Sequence, residues 1–182
     1  MKFLIRVVLF FILTVTTINA QDTFPESWLG NYKGDLLIYN VDSIKMNVKM
    51  ELKIAKTEKD SIFDWTIIYN IKGKKDIRAY RLVVVDREKG RYQIDEMNTI
   101  VIDAYLHNNS MFTSFFKVGK SYIVATYRKE KGHLVFEIIA SKTKAVSVTG
   151  KTKFKEEDIP QVDAYPVNGR QKAILFKIPS SK

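Results

Sequence analysis

The sequence predicts an all-β fold: a single antiparallel up-and-down barrel, or a strongly curved meander, of about 8–10 strands. Three observations carry this. Apolar and polar residues alternate with a period of two over long stretches, the signature of strands with one dry and one wet face. Short polar connections of hairpin length separate those stretches. No comparable stretch shows a convincing helical period.

Taken in order, the first β-rich run is Trp28–Tyr39. The next, Ile44 to Ile54, is the clearest: Ile44, Met46, Val48, Met50, Leu52 and Ile54 alternate with Lys45, Asn47, Lys49, Glu51 and Lys53. Eleven such residues reach roughly 36 Å, so the strand must coil, as barrel strands do. Phe63, Trp65, Ile67 and Tyr69 share one face of a third strand. Further runs are Ile77–Val85, Arg91–Asp95, Ile100–Leu106, Met111–Val118, Tyr122–Tyr127, Leu134–Ala140 and Lys144–Phe154, with Ala173–Ile178 as a last candidate. Turns fall at residues 57–60, 87–90, 107–109, 119–120, 129–132 and 141–142. A short helix near Phe24–Trp28 or Lys155–Asp158 is compatible with the pattern, and the Pro-bearing stretch Ile159–Asn168 is expected to wrap outside the sheet. Several strands are apolar on both faces: Ile67 adjoins Ile68, Phe115 adjoins Phe116, and Ile138 adjoins Ile139. Either a covering segment or an apolar contact with another molecule would account for this. The oligomeric state stays open.

Residues 1–20 read as a secretory signal peptide and 21–182 as one domain. Lys2 and Arg6 form a basic start, Val7–Leu13 an apolar core, and Ala20 a small residue at the cleavage point. Processing would leave 162 of the 182 residues and take the formal charge from +10 to +8, since Lys2 and Arg6 leave with no acid. No later segment is long and apolar enough to span a bilayer as a helix. With no cysteine, neither disulfides nor thiolate metal sites are available. The expected location is therefore periplasmic or extracellular, and the lack of disulfides favours a bacterial envelope. The positive charge suits anionic partners, yet lysines alternate with apolar residues along the whole chain, as on the wet face of a sheet. No compact basic cluster appears, and nucleic acid is not an expected partner.

In Trp28-Leu29-Gly30-Asn31-Tyr32-Lys33-Gly34, alternation puts Trp28, Gly30, Tyr32 and Gly34 on one face. An aromatic plug beside glycines, at the start of the first long strand, resembles the barrel-closing element of lipocalin-like and fatty-acid-binding-like (calycin) barrels. The β meander that follows is similar to that superfamily over most of the remaining chain. The resemblance implies a cup-shaped barrel whose cavity holds one small apolar or amphiphilic ligand. An ordinary strand with a core tryptophan and two bend-permitting glycines would read the same way.

Groups able to do chemistry are few. His107 and His133 both fall at turns, outside any metal or catalytic spacing. His107 alone could serve as a haem ligand. Asp95, Glu96, Asp103 and Glu137 are the carboxylates of interest, since a pair about 5–10 Å apart supports glycoside hydrolysis, although most such residues pair with cations across a sheet. No nucleophile, phosphate loop or metal motif accompanies them, so the expectation is a protein that is not an enzyme, with no catalytic residue, metal or cofactor. The most suggestive binding element is Arg78-Ala79-Tyr80, whose guanidinium and phenol lie on one face about 7 Å apart. A ligand carboxylate would fit between them, as in the similar Arg-x-Tyr pair of fatty-acid-binding barrels. A surface arginine paired with a neighbouring acid is the alternative.

The expected function is an exported carrier enclosing a small hydrophobic or amphiphilic molecule, lined by Arg78, Tyr80, Phe63, Trp65, Phe116 and Tyr122. The alternative is a non-enzymatic envelope module that contacts a protein or an anionic surface through a basic or apolar sheet face.

Overall fold

A computed structural model describes residues 23–179. The expected signal peptide lies outside these residues. A short 3-10 turn, Glu26–Trp28, precedes β1 (Gly30–Tyr39), β2 (Ile44–Lys56), β3 (Ile62–Ile71), β4 (Lys74–Asp86), β5 (Arg91–Asp95), β6 (Val101–His107), β7 (Met111–Val118), β8 (Ser121–Glu130) and β9 (His133–Lys142). Four three-residue strands follow, β10 (Ser147–Thr149), β11 (Thr152–Phe154), β12 (Glu157–Ile159) and β13 (Val162–Ala164), before the long β14 (Val167–Ile178).

Each of β1 to β9 pairs with its neighbour in sequence, and β14 closes the circle between β9 and β1. The result is a closed antiparallel barrel of ten strands. Closure leaves the barrel itself without an open sheet edge to template aggregation. The hairpins follow from local chemistry. At Asn108 and Asn109 both φ angles are near +50°, the paired left-handed geometry that matches the right-handed twist of the flanking strands and that asparagine tolerates.

The seam between β1 and β14 needs one glycine. A Cβ at Gly34 would stand 2.0 Å from the Ile174 carbonyl oxygen, so only a residue without one lets the two strands approach this closely.

Alternation assigns the core. Tyr32 and Leu36 of β1 face Leu52 and Val48 of β2, and Leu36 faces Ala173 of β14, all buried. The 3-10 turn seals one end. Phe24 lies edge-on to Trp28 and Tyr92, with centroids 4.9 Å away in each case, and packs at 5.0 Å against Phe112. Such contacts add to the burial of large apolar surface. Polar ties fix the plug in place: the Tyr32 hydroxyl donates to the Trp28 carbonyl at 2.8 Å, and the Lys129 ammonium donates to the Ser27 carbonyl. Arg87 grips Glu26 through two hydrogen bonds of 2.9 and 2.7 Å and also donates to the Phe24 carbonyl.

Two expectations are corrected around the C-terminal third. Residues 144–166 form no barrel strand, although Tyr165 lies against the outer face beside Tyr122. They make an exposed arm in which β10 pairs with β13 and β11 with β12. Lys155 and Glu156, considered for a helix, instead make the tip of its turn, both at positive φ. On the doubly apolar strands, Ile68 and Val135 are buried on the outer register, whereas Phe115 stands 69% exposed.

Candidate functional site

The barrel is packed solid at the plugged end and opens toward the other. Moving along β3 from Phe63 to Tyr69 passes from the core to a cleft. Its innermost compartment, about 120 Å³, is walled by Trp65, Tyr127, Phe116, Phe136 and Ser114, with Arg78, Tyr80 and Glu96 toward the rim. A second compartment of about 230 Å³ lies beside it, between Leu36, Met46, Ile71, Asp76 and Gln171. Tyr69, Arg78 and Ile138 border both. The first is close to the size of an engineered apolar cavity that holds one benzene, about 150 Å³.

Larger grooves exist outside, about 510 Å³ beside Arg81 and Asp95 and about 480 Å³ beside Leu37 and Phe176. They run along the outward register of the sheet. The interior cleft is the better site because aromatic walls face one another there across several strands, with few polar groups among them, as in small-molecule pockets.

The walls follow from alternation. Trp65, Ile67 and Tyr69 share the inward face of β3, as do Arg78, Tyr80 and Leu82 on β4. Trp65 sits opposite Tyr80 across the pair and meets Tyr127 edge-on at 5.1 Å. Burial pushes the Tyr69 phenol up to about 12, against the pull of the neighbouring Arg78 charge. Complete burial also raises the Tyr127 phenol. Tyr80 is raised by desolvation and then by the Glu96 carboxylate, with Arg78 acting the other way. All three phenols are therefore neutral donors at physiological pH.

Arg78 already holds a carboxylate. Its Nε and Nη2 both donate to Asp76 Oδ2, at 3.2 and 3.1 Å, and its guanidinium lies over the Tyr69 ring. The acid that pairs with it comes from its own strand, two residues away on the same face.

Of the residues expected to line a cavity, Arg78, Tyr80, Trp65 and Phe116 come together in this cleft. Two do not. Phe63 packs into the closed half beside Leu82, its partner on β4. Tyr122 lies on the outer face, stacked on Phe115 at 6.0 Å and edge-on to Tyr165 at 5.6 Å. Of the four plug residues, Trp28 belongs to the 3-10 turn rather than to the strand. Tyr32 points into the core, while Gly30 and Gly34 let Lys177 and the β14 backbone come close.

The sequence reading overlooked Tyr69, Tyr127 and Glu96 as lining residues. Tyr69 was legible, since it shares the face of Trp65. Glu96 continues the inward register of Tyr92 and Ile94. Among the other candidates, Glu137 is held by Arg170 at 2.9 Å, Asp103 accepts from Gln93 at 3.1 Å, and His133 contacts Glu130 at 3.1 Å. Among the described residues no group of three or more His, Cys, Asp or Glu is placed to hold a metal ion. No described helix is long and apolar enough to cross a membrane.

No protein-family model matches the chain, and no curated protein matches it in sequence. Among solved structures it is similar to the S-type phycobiliprotein lyase of Guillardia theta, with a TM-score of 0.55 and 7% identity, over 86% of this chain and 91% of that one. The chain shares that protein's lipocalin-like barrel fold. At this identity the likeness is one of architecture. It nevertheless corrects one expectation. A barrel of this architecture is itself named a lyase, so a thin inventory of nucleophiles and motifs does not argue against enzymatic activity here.

Proposed function

We propose that this protein binds one small apolar or amphiphilic molecule in the open half of the barrel. The apolar part sits against Trp65, Tyr127 and Phe136, and the polar end lies at the rim beside Tyr80 and Glu96. The observation that carries this reading is the asymmetry of the interior: one end is sealed by Phe24, Trp28 and Tyr92, while the other keeps an aromatic-walled cleft with few polar groups. That a protein of the same fold is named a phycobiliprotein lyase supports a reading in which the bound molecule is also acted upon. Export through residues 1–20 belongs to the same proposal and rests on their sequence pattern alone.

The test is titration with a small neutral fluorescent probe such as 1-aminoanthracene. Saturable enhancement is expected, with energy transfer from tryptophan that Trp65→Phe weakens and the buried Trp28 partly sustains. No saturable signal, or transfer that survives the substitution unchanged, would count against the cleft.

A specific observation favours a second reading, contact with a macromolecule through the outer face. Phe115, Val124 and Ile139 are register partners across β7, β8 and β9, and Phe115 and Ile139 are both exposed. Concentration-dependent association that Phe115→Ser abolishes is the expected sign of it.

A further inference from the structure

The cleft carries two acids and one base. Arg78 is the base, and its charge is already matched by Asp76 through two hydrogen bonds to one carboxylate oxygen. Glu96 is different. It follows β5 on the inward register, lines the inner compartment beside Tyr80, and takes part in no ion pair among the described residues. Asn98 Nδ2 approaches its Oε2 at 3.3 Å, a long contact between neutral amide and carboxylate.

The aromatic walls also accept a cation. The Arg78 guanidinium already occupies the face of Tyr69, 5.0 Å from the ring centroid, and the Tyr80 ring borders the same compartment as Glu96. A positive group set among ring faces and an unmatched carboxylate gains from both. A ligand carboxylate would have to draw Arg78 away from Asp76 and would then face Glu96, a like charge at short range.

Resting on the carrier reading above, we infer that the ligand is a cationic amphiphile. It is an amine on an apolar body, with its nitrogen held by Glu96 and the Tyr80 ring and its body against Trp65 and Tyr127. This replaces the carboxylate expected from the Arg78-Ala79-Tyr80 spacing.

Calorimetric titration with three probes of equal chain length tests it: n-hexylamine, 1-hexanol and hexanoate at neutral pH. The amine is expected to bind at least ten-fold more tightly than hexanoate, with hexanol between them, and added salt should narrow the difference. Glu96→Gln, nearly isosteric and at the rim, should erase the preference for the amine over hexanoate. Hexanoate binding as tightly as the amine, or a preference for the amine that survives Glu96→Gln, would overturn the inference while leaving the carrier reading in place. Failure of all three probes, the neutral alcohol included, would overturn both.

Discussion

The Arg78 guanidinium stacks 5.0 Å from the centroid of the Tyr69 ring, and the pair stands between two compartments of the barrel's open half. Neither compartment reaches the roughly 300 Å³ common for drug-sized ligands. The stack therefore sets how large a molecule can enter, and its position makes Arg78 a divider of the cleft as well as a charge.

Removing that divider should enlarge the site at little cost in stability. Arg78→Ala loses a partly exposed ion pair and a cation–π contact, together about 1 kcal/mol. Affinity for 1-aminoanthracene should rise several-fold, and urea denaturation should show only the small loss. Unchanged affinity would mean that the two compartments do not join.

The plug should be the most sensitive part of the fold. Phe24 is buried between Trp28, Tyr92 and Phe112, and Phe24→Ala leaves a cavity that the surrounding rings cannot fill. A loss of about 3–5 kcal/mol is expected in urea denaturation. A loss under about 1 kcal/mol would show that the 3-10 turn is not what closes the barrel.

Glycine substitutions should separate close approach from turn geometry. At Gly34 an added Cβ meets the Ile174 carbonyl oxygen at 2.0 Å, whereas at Gly73 it meets nothing within 4 Å and the cost is only that of its positive φ. Gly34→Ala should cost about 3 kcal/mol or more, and Gly73→Ala about 1 kcal/mol. Thermal unfolding of the two variants compares them directly.

Stability should fall in strong alkali. Below about pH 10 the Tyr69 phenol keeps its proton in both folded and unfolded chains, so its contribution is fully present. Between the unfolded value of 10.0 and the folded value of about 12, only the unfolded chain ionises, and folding loses up to about 2–3 kcal/mol. Tyr127 shifts in the same direction. Guanidinium midpoints measured across that window should decline, and Tyr69→Phe should make the decline shallower. An equal slope in both proteins would contradict the burial of this phenol.

Much of the barrel could be read in the chain. The alternation from Ile44 to Ile54 appears as β2, and the Arg91–Asp95 and Met111–Val118 runs match β5 and β7 residue for residue. Period two is a local property, so it survives without knowledge of the partner strand. What it cannot supply is which face turns inward. Tyr122 and Tyr127 are five residues apart and so face opposite ways on β8. Only the pairing of Tyr127 with Phe112 and Phe136 shows that Tyr127 is the one inside. Depth is equally hidden: Phe63 and Trp65 share a face, yet one is buried in the core beside Leu82 and the other lines the cleft. The run at residues 144–154 misled for a related reason, since β10 and β11 read like pieces of a barrel strand but pair only with β13 and β12.

The central claim is tested most directly by native mass spectrometry of the chain produced with its own N-terminal segment in a bacterial envelope. The account predicts a small-molecule adduct that solvent extraction removes. It also predicts that Ala125→Phe, which fills the inner compartment, purifies without the adduct while keeping its near-ultraviolet dichroism. A bare mass in both proteins after exposure to lipid extract, or an adduct that persists in the filled variant, would contradict binding inside the barrel.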